Sequence, residues 1–494
     1  MDQASTGARW SGRAIQVCIF LIAMFAPISI AATQTAWALA ILFWLIRLIF
    51  VRPKFRFASF DLAVLAFVGL SLISSIFSYE PRVSVGKMAG VSLVSIAYLV
   101  SQYIADKTMA RRLVIVLLAA CFAACIYTLA LQAIGRDLKV VHLTADSPLR
   151  SAGVDDGYAI LKANETEVNS PDELWAAISQ RSTDGVASLT VYRHELVDTY
   201  KLSTADLHSS ADLGITEWSR SRDMRAAGFY GHYVTFAEAL QLIASLALGL
   251  LIVLPGGIFS RNRILLGIAL AAYALALFLS LTRASWASFA VSAAVIVIVG
   301  ASRKTLVICI ALAVPLAVAG VWYLQQKRQV GMVDANDLST TWRLMVWREG
   351  FDVLTSSPRH MLVGIGMDSL KTHWRDWHMF DDGRQPIGHL HSTPLQLAFE
   401  RGVPTLISWL IWLMIYLRML WRSFRNPSLD PVSRSIVLGA LGGTVGLFTS
   451  GLVHYNWGDS EVIMIFYLIM GLSLSIMLNI EGHRLAKAAP KAMA

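Results

Sequence analysis

Two histidines, two residues apart, open the stretch HLHSTPLQLAFERGVP (His389–Pro404), which closes on a Glu400-Arg401 pair and runs into an apolar segment. A neutral imidazole can take a proton from an attacking hydroxyl. His391, with His389 as second choice, is therefore a candidate base or acceptor-orienting group. Three other stretches present cations. SRSRDMRAAGFYGH carries Arg222, Arg225 and His232, SLTRASWAS carries Arg283, and STTWRLMVWREG carries Arg343, Trp347 and Arg348. A guanidinium's planar fork pairs with two phosphate oxygens at once, so arginines gathered around a histidine suit a phosphate-bearing substrate. Snorkelling to lipid phosphates explains a single arginine at a membrane edge better than it explains several on one face.

The elements that must position these groups are membrane helices. The chain has 494 residues, of which 56% are hydrophobic and 15% charged; soluble domains carry about 25% charged residues. The fold class is an all-α polytopic membrane protein with about twelve apolar runs, each near the roughly 20 residues that span a bilayer. Residues 1–134 should hold helices one to five, 135–229 a long loop, 230–323 helices six to nine, 324–402 a second long loop bearing the histidines, 403–480 helices ten to twelve, and 481–494 a tail. The first run follows Arg9 and Arg13 and has the look of a signal peptide. A second run follows at once, so an uncleaved hairpin is expected. Cys18, Cys121, Cys125 and Cys309 all fall inside apolar runs and read as small buried hydrophobes.

Alternate loops collect the basic residues: Arg47, Arg52, Lys54 and Arg56, then Lys107, Arg111 and Arg112, then Arg261 and Arg263, then Arg303 and Lys304, then Arg418, Arg422, Arg425 and Arg434. The positive-inside rule places these loops, and both termini, in the cytoplasm. The net charge of +9 is then a matter of topology and says nothing for a nucleic-acid partner. The other side is net acidic and holds both long loops, so function is expected there. No Walker loop, DxD, HExxH or CxxC motif occurs on that side, so neither a nucleotide nor a metal is expected and no cofactor is required. An anionic ligand that reaches a site beside the bilayer is a lipid diphosphate, and arginines can stabilise charge that builds on a departing phosphate.

Two helix-level expectations accompany the histidines. Thr393-Pro394-Leu395-Gln396 reads as N-cap, first-turn proline and capping-box glutamine, which leaves His391 just outside the helix. Pro404 should break the backbone, with residues 394–402 lying along the membrane surface.

Within the first loop, SPLRSAGVDDGYAILKANETEVNSPDELWAAISQ resembles a bacterial PDZ domain over about 138–204. Strands are expected at Tyr158–Leu161, Ser188–Tyr192 and Thr199–Leu202, with a helix Pro171–Gln180 capped by Ser170 and Glu173. The resemblance implies a small α+β insert and a protein partner. The strand and glycine loop that would hold a peptide carboxylate are short or missing before Val140, which favours docking or shielding over strand-addition capture.

RAAGFYGHYVTFAEAL, SLTRASWAS, WRLMVWREGF, VGIGMDSL and HSTPLQLAFERGVPT together resemble the O-antigen ligase family of membrane glycosyltransferases. His391-Ser392, nine residues and then Gly402 follow that family's H-[NSQ]-x9-G-x-x-G pattern, with Thr405 in place of its last glycine. The resemblance implies a GT-C-like fold. It also implies transfer of a glycan from undecaprenyl diphosphate to the lipid A core, at the periplasmic face of a bacterial inner membrane. Arg225, Arg283 and Arg343, with Arg222 and His232, would hold the diphosphate, and His391 would activate the acceptor. Related O-antigen or exopolysaccharide polymerases and protein O-oligosaccharyltransferases share the donor chemistry. A lipid-linked sugar transporter is the alternative of another class.

Overall fold

The computed structural model describes residues 6–51, 57–104, 106–181, 185–193, 196–257, 260–328 and 338–488. Arg52, Lys54, Arg56 and Lys491 lie outside the described residues. The chain forms two compact units, one of residues 1–125 with 227–494, the other Ile126–Ala226.

The first unit is built from α1 (Thr6–Phe25), α2 (Ile30–Phe50), α3 (Ser59–Ile76), α4 (Pro81–Ser92), α5 (Ser95–Tyr103) and the first part of α6 (Lys107–Ile134). Local chemistry starts these helices: Ser29 caps α2 by accepting the Ala32 N–H, and Pro81 enters the first turn of α4, where no amide hydrogen bond is lost. The second unit follows, with β1 (Arg136–Leu143), α7 (Pro148–Ser151), β2 (Ala159–Ala163), β3 (Thr166–Glu167), α8 (Pro171–Arg181), β4 (Val186–Arg193), β5 (Leu196–Ser203) and β6 (Ile215–Ser221). The chain then returns to the first unit through α9 (Tyr233–Val253), α10 (Arg261–Leu279), α11 (Arg283–Gly300), α12 (Arg303–Arg328), α13 (Leu338–Thr355), α14 (Pro358–Val363), α15 (Leu370–His373), α16 (Met379–Gly383), α17 (Thr393–Arg401), α18 (Val403–Phe424), α19 (Pro431–Gly451) and α20 (Ser460–Ala488).

Among the described residues eleven helices are long and apolar enough to cross a membrane, α4 and α5 counting as one broken span. The protein is a multi-pass membrane protein. The twelfth expected run, 304–323, lies in α12, which carries Pro315 and several of whose side chains lie outside the described residues. The bundle is centred on α9, α19 and α20, whose apolar windows are mostly buried, whereas few residues of α2 and α10 are buried. Lipid supplies no hydrophobic drive between helices, so close packing must hold them. At Gly249 of α9 an added Cβ would lie 2.7 Å from the Gly439 amide nitrogen and the Ser435 carbonyl oxygen of α19. Gly249 therefore faces Gly439, and Gln241 lies against Gly446, so the two helices run antiparallel. The start of α9 and the end of α19 share one end of the bundle.

The segment between α13 and α18 has its own core, in which Val346, Ile365, Met379, Phe380, Leu390 and Phe399 are fully buried. Its α16 departs from ordinary helix: Phe380, Asp381 and Asp382 have φ of 59°, 52° and 54°, a left-handed turn. Left-handed backbone costs an L-residue about 1–2 kcal/mol. The Glu349 carboxylate offsets this by accepting the Phe380 and Asp381 N–H groups at 2.8 and 3.1 Å.

The second unit is an antiparallel sheet in the order β5-β4-β2-β1-β6, with β3 beside β2. Leu138, Val140, Ile160, Leu174, Ile178, Leu189 and Val191 fill its core. The expected strands and helix are present. Ser170 Oγ accepts the Glu173 N–H at 3.2 Å, while the Glu173 carboxylate reaches the Asn169 N–H instead of closing a box on Ser170. Strand β1 already runs from Arg136, so the strand expected to be short before Val140 is in place. Its second edge is occupied: Arg136 pairs with Ser221 and Val140 with Trp218 of β6. No sequence pattern announced β6, because only Ile215 and Ser221 turn away from solvent along it.

Candidate functional site

Helix α17 begins one residue earlier than expected. Ser392 is its N-cap, Thr393 is its first residue, and no side chain caps it. His391 has φ 47°, a conformation sparsely allowed for a non-glycine residue. That turn folds the chain back over the start of α17, so Gln396 Oε1 accepts the Leu390 N–H at 2.7 Å instead of forming a capping box. The Trp347 indole donates to the Leu390 carbonyl at 2.6 Å, and the Leu390 side chain is buried. Leu390 is thus pinned by both backbone polar groups, and the two histidines flank it.

The His389 and His391 rings stand 3.9 Å apart between centroids, and Trp342 meets His391 edge-on at 4.7 Å. The His391 N–H donates to His389 Nδ1 at 3.1 Å. An amide can only donate, so Nδ1 keeps its lone pair and His389 is neutral with its proton on Nε2. Electrostatics agree. Burial lowers the His389 pKa to about 4, with His454, His232, Lys371 and Arg343 adding like-charge repulsion. Burial lowers His391 to about 2, with His389, Arg343, His454 and His232 contributing.

These influences show which expected residues gather. Arg343 and His232 lie within electrostatic reach of His389 and His391. Arg343 Nη1 donates to Ser339 Oγ at 2.7 Å one turn back on α13; Ser339 lies inside that helix and holds the guanidinium. His232 is the N-cap of α9. Arg283 is the first residue of α11, after Leu281 at φ 52° and the N-cap Thr282. Short connections make α9 and α11 start at the same end, which is also the end where α19 finishes. Arg222 and Arg225 belong to the other unit, directly after β6, with Arg222 exposed and Arg225 half-buried.

The structure adds His454 and Glu238, which the sequence reading passed over, and gives partners to Asp459, which it held as a further candidate base. His454, between α19 and α20, is buried, and its Nδ1 lies 2.9 Å from Glu238 Oε1 of α9. The His454 carbonyl accepts the Thr393 N–H at 2.9 Å and lies 3.1 Å from Thr393 Oγ1. Thr235 donates to Asp459 at 2.9 Å, and burial, reinforced by Glu238, raises the Asp459 pKa to about 7. Glu238 carried a usable signal, since an ionisable residue inside an apolar run marks a functional site by default.

The Glu400-Arg401 pair proves architectural. Both are buried; Glu400 accepts from the Tyr455 hydroxyl at 3.1 Å and from the Asp368 N–H at 3.0 Å. The expected break at Pro404 falls instead at Gly402, whose φ is 82°, and Pro404 sits in the first turn of α18, where proline is tolerated. A Cβ at Gly402 would lie 2.3 Å from the Leu362 carbonyl oxygen, so glycine is required by both contact and conformation. Among the described residues no group of three or more His, Cys, Asp and Glu side chains is placed to hold a metal ion.

Fold and site together define a multi-pass membrane protein with a neutral histidine pair beside arginine, where several helices begin. The O-antigen ligase family model matches residues 266–410, which supports assigning the chain to the O-antigen ligase family. Members of that family are membrane glycosyltransferase-like enzymes. The matched segment contains Arg283, Arg343, His389 and His391, and stops short of Glu238 on one side and His454 on the other. No curated protein matches the chain.

Proposed function

We propose that this protein is an O-antigen ligase that moves a glycan from undecaprenyl diphosphate to the lipid A core at the periplasmic face of a bacterial inner membrane. The observation that carries this reading is the half-buried, neutral His389–His391 pair within electrostatic reach of Arg343. An acceptor hydroxyl attacks the anomeric carbon and gives its proton to the His391 ring as the bond to the diphosphate oxygen breaks. The diphosphate leaves with the bonding electrons, and Arg343 and Arg283, with His232, spread the charge it gains. Direct displacement inverts the anomeric centre, and these groups do the work without a metal.

A ring whose pKa is about 2 is a weak base. The donor corrects this, because a diphosphate anion beside the ring favours the imidazolium and raises its proton affinity as the complex forms. A transporter for lipid-linked sugars would place its polar site near the membrane midplane; the histidine pair stands instead at the start of α17, before α18 enters the membrane. The excess of basic residues in alternate loops supports cytoplasmic termini. The insert acts as a docking or shielding module, a role supported by β6 occupying the edge of β1 that an added peptide would need.

The test is a cell-envelope glycolipid profile of a deletion strain together with transfer by purified protein. Loss of all lipid A-linked polymer, and transfer in vitro from the lipid-linked donor to a lipid A-core acceptor, are expected. Single repeat units remaining on lipid A would make the protein a polymerase using the same donor, and glycoprotein loss would make it a protein O-oligosaccharyltransferase.

A further inference from the structure

Glu238 lies in the second turn of α9, inside an apolar span, and is 1% exposed. Its Oε1 faces His454 Nδ1 at 2.9 Å, and its Oε2 has no hydrogen-bond partner among the described residues. An ionisable side chain so placed is costly to keep, and proteins retain such groups where they act. The same face of α9 carries Thr235, one turn earlier, which binds Asp459 at 2.9 Å. Helix α9 therefore grips the α19–α20 connection twice, at His454 and at Asp459. The far side of that connection is tied to α19, where Asn456 Nδ2 donates to the Leu447 carbonyl and to Ser450 Oγ, both at 2.9 Å. Held from both sides, His454 presents its carbonyl to the Thr393 N–H at 2.9 Å. Thr393 is the first residue of α17 and lies two residues beyond His391, whose left-handed turn needs a fixed anchor on its C-terminal side. The other side is already fixed through Leu390.

We propose that Glu238 is a positioning residue for the transfer reaction: through His454 it holds the His389–His391 turn, and it touches no substrate itself. The proposal rests on the function argued above and adds to it a residue from outside the matched segment, 216 positions away in sequence from the histidine it holds.

The hydrogen bond, and not the charge, performs this task, so the three substitutions separate. Glu238→Ala removes the acceptor, Glu238→Asp withdraws it by one methylene, and Glu238→Gln keeps an acceptor of the same reach. With purified protein, lipid-linked donor and acceptor, Glu238→Ala should lower kcat by about 10²-fold, the scale of an ångström-level misplacement, with KM for the donor within about twofold. Glu238→Gln should restore most of kcat. A His454→Ala variant should lose as much as Glu238→Ala, and the double variant no more than either, because both act through one contact. Should Glu238→Gln be as impaired as Glu238→Ala, the carboxylate acts by charge or proton transfer and positioning is overturned. Additive losses in the double variant overturn it as well. If Glu238→Ala does not accumulate in the membrane, the Gln and Asp variants carry the same comparison. An active wild type, an inactive His391→Ala and an unaffected Glu238→Ala would remove only this inference. A wild type that transfers nothing from any polyprenyl-diphosphate donor removes the function, and this inference with it.

Discussion

Dehydration governs the chemistry of the His389–His391 pair. Each ring is more than half buried against Trp342, Tyr455 or its neighbour, and the backbone hydrogen bond to His389 Nδ1 forbids a proton there. An imidazole of ordinary basicity would put the acidic limb of activity near pH 6.5, at about its reference pKa. With the rings at about 4 and about 2, kcat/KM, which reports the free enzyme, should stay level from neutral pH down to about pH 5. A limb near 6.5 that vanishes in a histidine variant would show the rings to be hydrated. His391→Ala should lower turnover by about 10²–10⁴ with donor binding little changed, and His391→Gln should be almost as slow, since an amide takes no proton. Full turnover in the Gln variant would reduce His391 to an orienting role. Arg283→Lys should lose most activity while the protein accumulates normally, because a single ammonium cannot reproduce a bidentate fork. Stability carries an independent sign. Unfolded histidines bind protons near pH 6.5 and the folded ones do not until about pH 4 and about pH 2, so folding stability is lost as pH falls through that window. Asp459 works in the opposite direction, since its folded pKa of about 7 stands above the unfolded 3.8 and its contribution is lost as pH rises toward 7. Asp459→Asn should therefore steepen the fall of Tm between about pH 6.5 and pH 4.5; a shallower fall would contradict the assignment.

At the scale of elements, the site depends on backbone that few residue types adopt. The α17–α18 junction turns on Gly402, and the α13–α17 core on the left-handed α16. In α16 the Asp381 side chain contributes only a 3.7 Å pair with Arg384, while its φ of 52° strains any L-residue. Asp381→Gly should raise stability by about 1 kcal/mol, the left-handed penalty it relieves, seen as a higher Tm without loss of transfer. A lowered Tm would mean that the carboxylate has a role beyond the turn. Gly402→Ala should do the reverse and prevent normal accumulation, since the Cβ meets the Leu362 carbonyl head-on.

For the whole molecule, the two units can be separated by cutting where the sheet closes. Arg136 and Ser221 are paired across β1 and β6, so their Cα atoms are about 5 Å apart and a short Gly/Ser linker can replace residues 136–221. A cut at 138–204, as the PDZ resemblance alone invites, would strip β6 of its partner and leave an unpaired edge. The 136–221 replacement keeps Arg222 and Arg225 in the chain. If the insert only docks or shields, the purified variant should retain measurable transfer. Complete loss, with the helix bundle shown intact by its Tm, would mean that the insert builds part of the acceptor site.

Hydropathy, helix ends and the histidine motif could be read directly because each is enforced locally. A bilayer demands that every backbone polar group be satisfied within its own helix, so apolar runs of spanning length become spans whatever surrounds them. The serine, threonine and proline after His391 leave the helix nowhere else to start, within one residue. The α+β insert showed its strands and its capped helix for the same reason. Tertiary structure alone decided the rest, because those features depend on partners far away in the chain. Glu238 finds His454 only when α9 lies beside the α19–α20 connection. Gln396 abandons its capping box because the His391 turn brings Leu390 over it. Strand β6 exists because β1 offers it an edge, and the Glu400-Arg401 pair is buried because α3 and the Asp368 loop close over it. The depressed basicity of the two rings belongs to this second group. Residue type supplies an imidazole with a pKa near neutrality, and only the packing of Trp342, Leu390 and Tyr455 around it removes the water that would keep it there.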